Sequence, residues 1–161
     1  MIITFEVPEV RGQGRPRFSR FSGAYKDKKD IEYEKLIKEC YLEEAKDIKP
    51  SERPIIIEIT AFFKIPKNSP KYVKEEIKEY ECYYVPQTKP DLDNIAKAVL
   101  DALNGVAYLD DKQVSQIICN KIFNIKDESE YLRIFISDQE LGTSEDIKDE
   151  RRRNKETEYL W

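Results

Sequence analysis

Leu92, Ile95, Ala96, Val99, Leu100 and Leu103 recur at helical spacing and make one apolar stripe. Asp93, Lys97, Asp101 and Asn104 share the opposite, polar face. A helix built this way must lay its stripe on a sheet or on another helix, and the chain supplies both. "IITFEV" (Ile2 to Val7) alternates apolar and polar residues and reads as a strand ended by Pro8, while the β-branched run "IIIEITAFFKI" (Ile55 to Ile65) reads as a buried strand. "VSQIICNKIFNI" and "YLRIFIS" are also strand-like, and the short polar "KDESE" between them predicts a hairpin. From Asp27 to Lys46 the residues Ile31, Leu36, Ile37, Cys40, Tyr41 and Ala45 predict a long amphipathic helix, and a shorter one is expected near Lys71 to Tyr80. The order β-α-β-(α)-α-β-β fits a small single α+β domain, with helices packed on one side of a mixed sheet. That domain is expected over residues 1–138, followed by a charged tail, 139–161, with no apolar face until "YLW".

The apolar helix is bracketed by carboxylates. The segment reads "KPDLDNIAKAVLDALNGVAYLDD", with Asp91 and Asp93 at its start and Asp110 and Asp111 beyond its end. Gly105 is placed to be the left-handed residue that stops the helix. Residues two apart in a helix point about 200° apart, so Asp91 and Asp93 converge only if Asp91 stands at or before the N-cap, where Pro90 and the capping preference of Asp put it. A purely structural cap needs the same placement. The pattern therefore admits two readings, capping and surface residues or the corners of a metal site. Clustered carboxylates repel unless a cation stands among them. Mg²⁺ favours a few carboxylate oxygens together with water and a substrate phosphate.

Composition narrows the chemistry. The chain contains no histidine, which excludes Ser-His-Asp and Cys-His nucleophilic sites, His-ligated zinc and imidazole acid–base catalysis. Cys40, Cys82 and Cys119 lie far apart with no C-x-x-C pair, so neither a zinc site nor a disulfide framework is expected. No apolar run approaches the roughly 20 residues of a membrane span. The N-terminal segment is too short and too acidic for a secretory signal, so cytoplasmic residence is expected. Net charge is −4, yet Arg11, Arg15, Arg17, Arg20, Lys26, Lys28 and Lys29 crowd one segment with Asp27 as its lone acid. A local basic segment on an acidic protein points to a defined anion site. "RGQGRPRFSRFSGAY", rich in glycine, arginine and aromatics, reads as a loop, either a solvated, disordered segment or one in which Arg15 and Arg17 bind phosphate while Phe18 or Tyr25 stacks on exposed bases.

"KPDLDNIAKAVLDALNGVAYLDDKQV" resembles the signature of the RusA family of Holliday junction resolvases, and "GRPRF" resembles the basic loop of its phage-type members. The resemblance spans roughly residues 1 to 137. It implies a Mg²⁺- or Mn²⁺-dependent endonuclease that acts on four-way DNA junctions as a homodimer. By position it makes Asp91, Asp93 and Asp111 the essential acidic residues and Lys97 the essential lysine. Asp110 matches the adjacent acid, and Lys121 another basic position taken to contact DNA. The competing expectation is a branched-DNA-binding module without catalysis, whose aspartates are caps and surface. Every candidate catalytic position is intact, which favours the enzyme.

Overall fold

The structure, a computed structural model, describes residues 1–14, 17–19, 23–79, 85–126 and 129–138; for 17–19, 23, 24 and 78 it describes the backbone alone. Cys82, Arg15 and the expected tail lie outside the described residues. A four-stranded mixed sheet is built from β1 (Ile2–Val7), β4 (Ile55–Phe63), β5 (Val114–Phe123) and β6 (Tyr131–Asp138), in the order β1-β6-β4-β5. β6 pairs antiparallel with β1 on one side and with β4 on the other, and β5 lies parallel to β4 at the edge. Two strands, β2 (Arg17–Ser19) and β3 (Gly23–Tyr25), form a separate antiparallel ladder. The helices are α1 (Lys28–Ala45), α2 (Lys71–Glu79) and α3 (Leu92–Leu103). The expected α+β class holds.

Two expectations are corrected. β5 and β6 do not form a hairpin, because β4 lies between them. The burial pattern gives the reason. β4 buries every second residue along its length, Ile55, Ile57, Ile59, Ala61 and Phe63, so it belongs in the interior of the sheet. β5 carries Ser115, Gln116 and Asn120 and is mostly exposed, which an edge position tolerates. The segment expected to be wholly loop contains the β2–β3 ladder, in which Phe18 faces Ala24. Three-residue strands are too short to display a period.

The core forms where alternate residues of the sheet meet the helices. Phe5, Ile59 and Ile134 lie in register across β1, β4 and β6 and are buried. Tyr33, Ile37, Tyr41 and Ala45 of α1 and Ile95, Val99 and Leu103 of α3 join the same cluster. α3 also buries Ala98 and Ala102, which lie beyond the expected stripe, while Leu92 at its start is 41% exposed. Contact with α1 as well as with β5 widens the buried face and lets small residues into it. α1 starts at the N-cap Asp27, whose side chain accepts from Lys29 N. α3 ends as expected, with Gly105 at φ +72°. Among the described residues no helix is long and apolar enough to cross a membrane.

Ile59 is fully buried on the central strand. Ile59→Ala should cost about 2–5 kcal/mol in urea unfolding, the range for a buried aliphatic truncation.

Candidate active site

Asp91 is the N-cap of α3 in extended conformation, where the sequence placed it, but its side chain makes no capping hydrogen bond. The structural role that competed with metal binding is therefore left unused. Asp93 stands in the first turn. Asp91, Asp93 and Lys97 are all exposed, and among the described residues Lys97 closes no ion pair with Asp93 one turn away. Lys121 engages this end from β5. Its ammonium donates to Thr88 O and to Pro90 O, the latter at 3.0 Å. It thus clasps the segment that presents Asp91, and Cys119 Sγ lies 3.9 Å from Leu92 O beside it.

The second pair of aspartates is held at the other end of the helix. Tyr108 bridges to Ser51 and Asn104, and its hydroxyl donates to Leu100 O at 2.9 Å. Asp110 then caps a 3-10 turn, Asp111–Gln113, in a capping box. Its carboxylate accepts from Lys112 N at 3.0 Å and lies 3.2 Å from the Lys112 ammonium. The backbone hydrogen bond from Lys112, helped by that ammonium, holds the Asp110 carboxyl below its usual pKa. The Gln113 side chain accepts from Asp110 N and donates to Ser51 O and Arg53 O, anchoring the turn to the start of β4. Asp110 is thereby engaged as a cap, and Asp111 is exposed beside it.

The four aspartates do not meet within one chain. α3 separates the two pairs by about 18 Å, from its length at 1.5 Å per residue. The strand path gives a similar figure, since Lys121 and Val114 of β5 are roughly 23 Å apart at strand rise. Among the described residues no three carboxylate or cysteine side chains form a group able to hold a metal ion.

The basic segment is stitched down at both ends. Gly12 packs so tightly on α3 that a Cβ there would stand 2.7 Å from Pro90 Cβ and 2.8 Å from Asn94 Cβ. Gln13 N donates to Asn94 O at 2.9 Å. Asp30, 4% exposed on α1, accepts from Arg11 Nη2 and from Gly14 N, both at 3.1 Å. Lys26 bonds Glu34 at 2.7 Å and Asp101 at 2.8 Å, and Asp101 also accepts from Gln13 Nε2. Two of the seven cations thus hold the loop in place. Sequence reasoning missed Gln13, Asp30 and Asp101, whose partners are distant in the chain. Arg17 is described only as backbone in β2, so neither expected loop arginine has a described side chain.

Comparison with known proteins identifies the family. The family description Endodeoxyribonuclease RusA matches residues 8–136. The chain belongs to the RusA family. Within that span fall both aspartate pairs, Lys97, Lys121 and the stitched loop. The chain is also 31% identical, over 119 residues, to Uncharacterized protein YqaN of Bacillus subtilis (strain 168). That alignment covers 72% of this chain and 83% of the relative. Membership makes the protein an endodeoxyribonuclease of the Holliday junction resolvase family.

The Lys26–Asp101 tie generates a pH prediction. Burial pushes the Asp101 carboxyl up, but hydrogen bonds from Lys26 and Gln13 outweigh it and leave the pKa lowered from 3.8. Lys26 is raised: burial acts downward, and the bonds to Asp101 and Glu34 prevail. The stabilisation from Asp101 is therefore complete above its unfolded pKa and is lost as pH falls through the lower folded value. Asp101→Asn should be less stable than the parent at pH 7, with the gap narrowing below about pH 4. Urea midpoints measured from pH 7 to pH 2.5 check this.

Proposed function

We propose that the protein is a Mg²⁺- or Mn²⁺-dependent, structure-selective endonuclease that resolves Holliday junctions in DNA recombination and repair. In this reading it acts in the cytoplasm as a homodimer, making symmetric paired cuts. The observation that carries the reading is the uncapped carboxylate of Asp91 at the start of α3, followed in the first turn by Asp93, which is exposed and closes no ion pair among the described residues. One or two carboxylates, with water and substrate phosphate, are the usual holders of Mg²⁺, and an oxygen-only donor set suits Mg²⁺ and Mn²⁺. Asp91 and Asp93 fit that role. The bound ion would polarise the scissile phosphate and acidify a water. Lys97, exposed one turn after Asp93, is positioned to meet developing charge on the phosphate. Arg15 and Arg17 carry junction binding on the loop anchored by Asp30.

Asp111 stands a helix length away, so in this reading it joins Asp91 and Asp93 from a second copy of the chain. β5 is a sheet edge, with Ile117 at 40% and Ile118 at 38% exposure on its opposite faces. Pairing β5 antiparallel with its two-fold copy exchanges the ends of the strand. The Asp111 end of one chain then lies beside the Lys121 and Asp91 end of the other. Each site takes Asp91, Asp93 and Lys97 from one chain and Asp111 from its partner, with Asp110 serving as the cap that orients Asp111. Two such sites face one four-way junction, as paired incision requires. The competing reading, a branched-DNA-binding module without catalysis, draws on the same division of the carboxylates.

Cleavage of a synthetic four-way junction with Mg²⁺ and with EDTA tests the activity. Asp93→Asn and Asp111→Asn should each abolish cutting while leaving binding intact, since removing negative charge does not weaken phosphate attraction. Mixing the two inactive variants tests the division. A mixed dimer regains one complete site and should nick junctions; a site contained in one chain regains nothing. Light scattering should give about twice the 19.1 kDa chain mass. Metal-independent or absent cutting by the unsubstituted chain would favour the binding module.

Lys97→Ala should lower the cleavage rate by roughly 10²-fold or more with little change in affinity, the magnitude of a lost transition-state contact. Single-turnover kinetics separate the two. Near-normal turnover would return Lys97 to the status of a surface residue.

A further inference from the structure

Beside Asp91, the stitched loop and the start of α3 enclose a pocket of about 540 Å³, within the roughly 300–1,000 Å³ range of sites that hold small organic groups. Val10 and Pro90 supply apolar surface, and Gln13 and Asn94 also contribute to the lining. Arg11 and Lys89 stand there as well. The Arg11 guanidinium is engaged by Asp30, whereas Lys89 is exposed.

Two amides carry the argument. Gln13 is 8% exposed, and its Nε2 is committed to Asp101 and Glu34. Its Oε1 is buried without a hydrogen-bond partner among the described residues. A buried acceptor left unmatched costs about 1–3 kcal/mol, so a donor that reaches it through a shift of the Gln13 side chain toward the pocket recovers that loss. The Asn94 side chain, half-buried one residue after Asp93, likewise makes no hydrogen bond among the described residues. Gln and Asn amides are the groups that pair with base edges. The backbone around the pocket is also held in place. The close approach of Gly12 to Pro90 and Asn94, the Gln13–Asn94 backbone bond and the buried Asp30 fix its walls before any ligand arrives.

Resting on the nuclease reading above, we propose that this pocket receives the unstacked base of a nucleotide adjoining the scissile phosphate. Val10 and Pro90 flank the base, the amides of Gln13 and Asn94 meet its polar edge, and Lys89 meets the neighbouring phosphate. The fit is to a planar group with hydrogen-bonding edges, and Asp91 on the rim sets how far the base lies from the proposed metal side. Extrusion costs least where pairing is already interrupted, as at a branch point. Structure selectivity then arises in part because an intact duplex does not yield the base. Any preference for sequence at the cut is read by Gln13 and Asn94. The buried Gln13 oxygen favours a base that offers an amino group.

The test uses the full chain carrying Asp93→Asn, which lies outside the pocket lining, bound to four-way junctions labelled with 2-aminopurine at each position flanking the crossover. Emission should rise several-fold at one position per strand, beside the cut made by the unsubstituted protein. Asn94→Leu, which fills the pocket from the helix surface, should abolish that rise while junction binding persists. In the cleavage-competent background it should slow cutting at the favoured sequence by about tenfold, a single base contact's worth, and flatten the differences among sequences. Gln13→Leu should do the same, and Asn94→Leu decides alone if that buried variant fails to fold. A complex that forms with no rise at any position overturns the pocket, as does a rise undiminished in Asn94→Leu. A chain that leaves four-way junctions uncut overturns the nuclease reading first, and the pocket with it.

Discussion

The parallel pairing of β4 with β5 is the constraint from which the rest of the arrangement follows. Parallel neighbours cannot be joined by a tight turn, and the chain has to return to the starting end of the sheet before β5 begins. α3 makes that return, running against the direction of both strands. The residues that precede the helix and those that precede the next strand must then lie at opposite ends of the sheet. Asp91 and Asp93 belong to the first group, Asp110 and Asp111 to the second. Their separation is a property of the topology and is not a matter of side-chain choice.

The same constraint explains what could be read in the sequence. Helix positions followed from periodicity, and α1 and α3 fall within a residue or so of expectation because their apolar residues recur at helical spacing. The N-cap placement of Asp91 followed from Pro90 and from the geometry of a D-x-D pair. The pairing partner of β5 did not follow. Strand period says which residues share a face but not which strand lies alongside, and the short polar link to β6 suggested a hairpin. Asp30 was illegible for another reason. It reads as one more charge near a helix start, and its burial shows only once Arg11 and Gly14 are folded onto it.

The loop and the helix divide their labour. Asp30 and Asp101 neutralise Arg11 and Lys26 and hold the base of the basic segment against α1 and α3. Carboxylates in such places weaken the positive field the segment presents, and in return they fix where it stands. Gly12 makes this possible, because a larger residue would be driven into Pro90 and Asn94. The first helical turn of α3 is consequently held from three sides, by the loop, by Lys121 and by the core beneath Ile95. Groups at that turn are preorganised by packing rather than by bonds of their own.

If the proposed composite site forms, the strand edge of β5 and the divided set of carboxylates would tie activity to encounter. In the composite arrangement a lone chain holds half of each site, so dilution silences it without unfolding anything, and the exposed isoleucines of β5 are covered by the same event that completes the chemistry. The DNA itself would then act as matchmaker. A four-way junction offers two equivalent docking positions a fixed distance apart, and two chains held on one such substrate meet at an effective concentration far above that in solution. A linear duplex offers no comparable pairing of positions. Selectivity against ordinary duplex DNA would, on this proposal, be a matter of valency as much as of recognition.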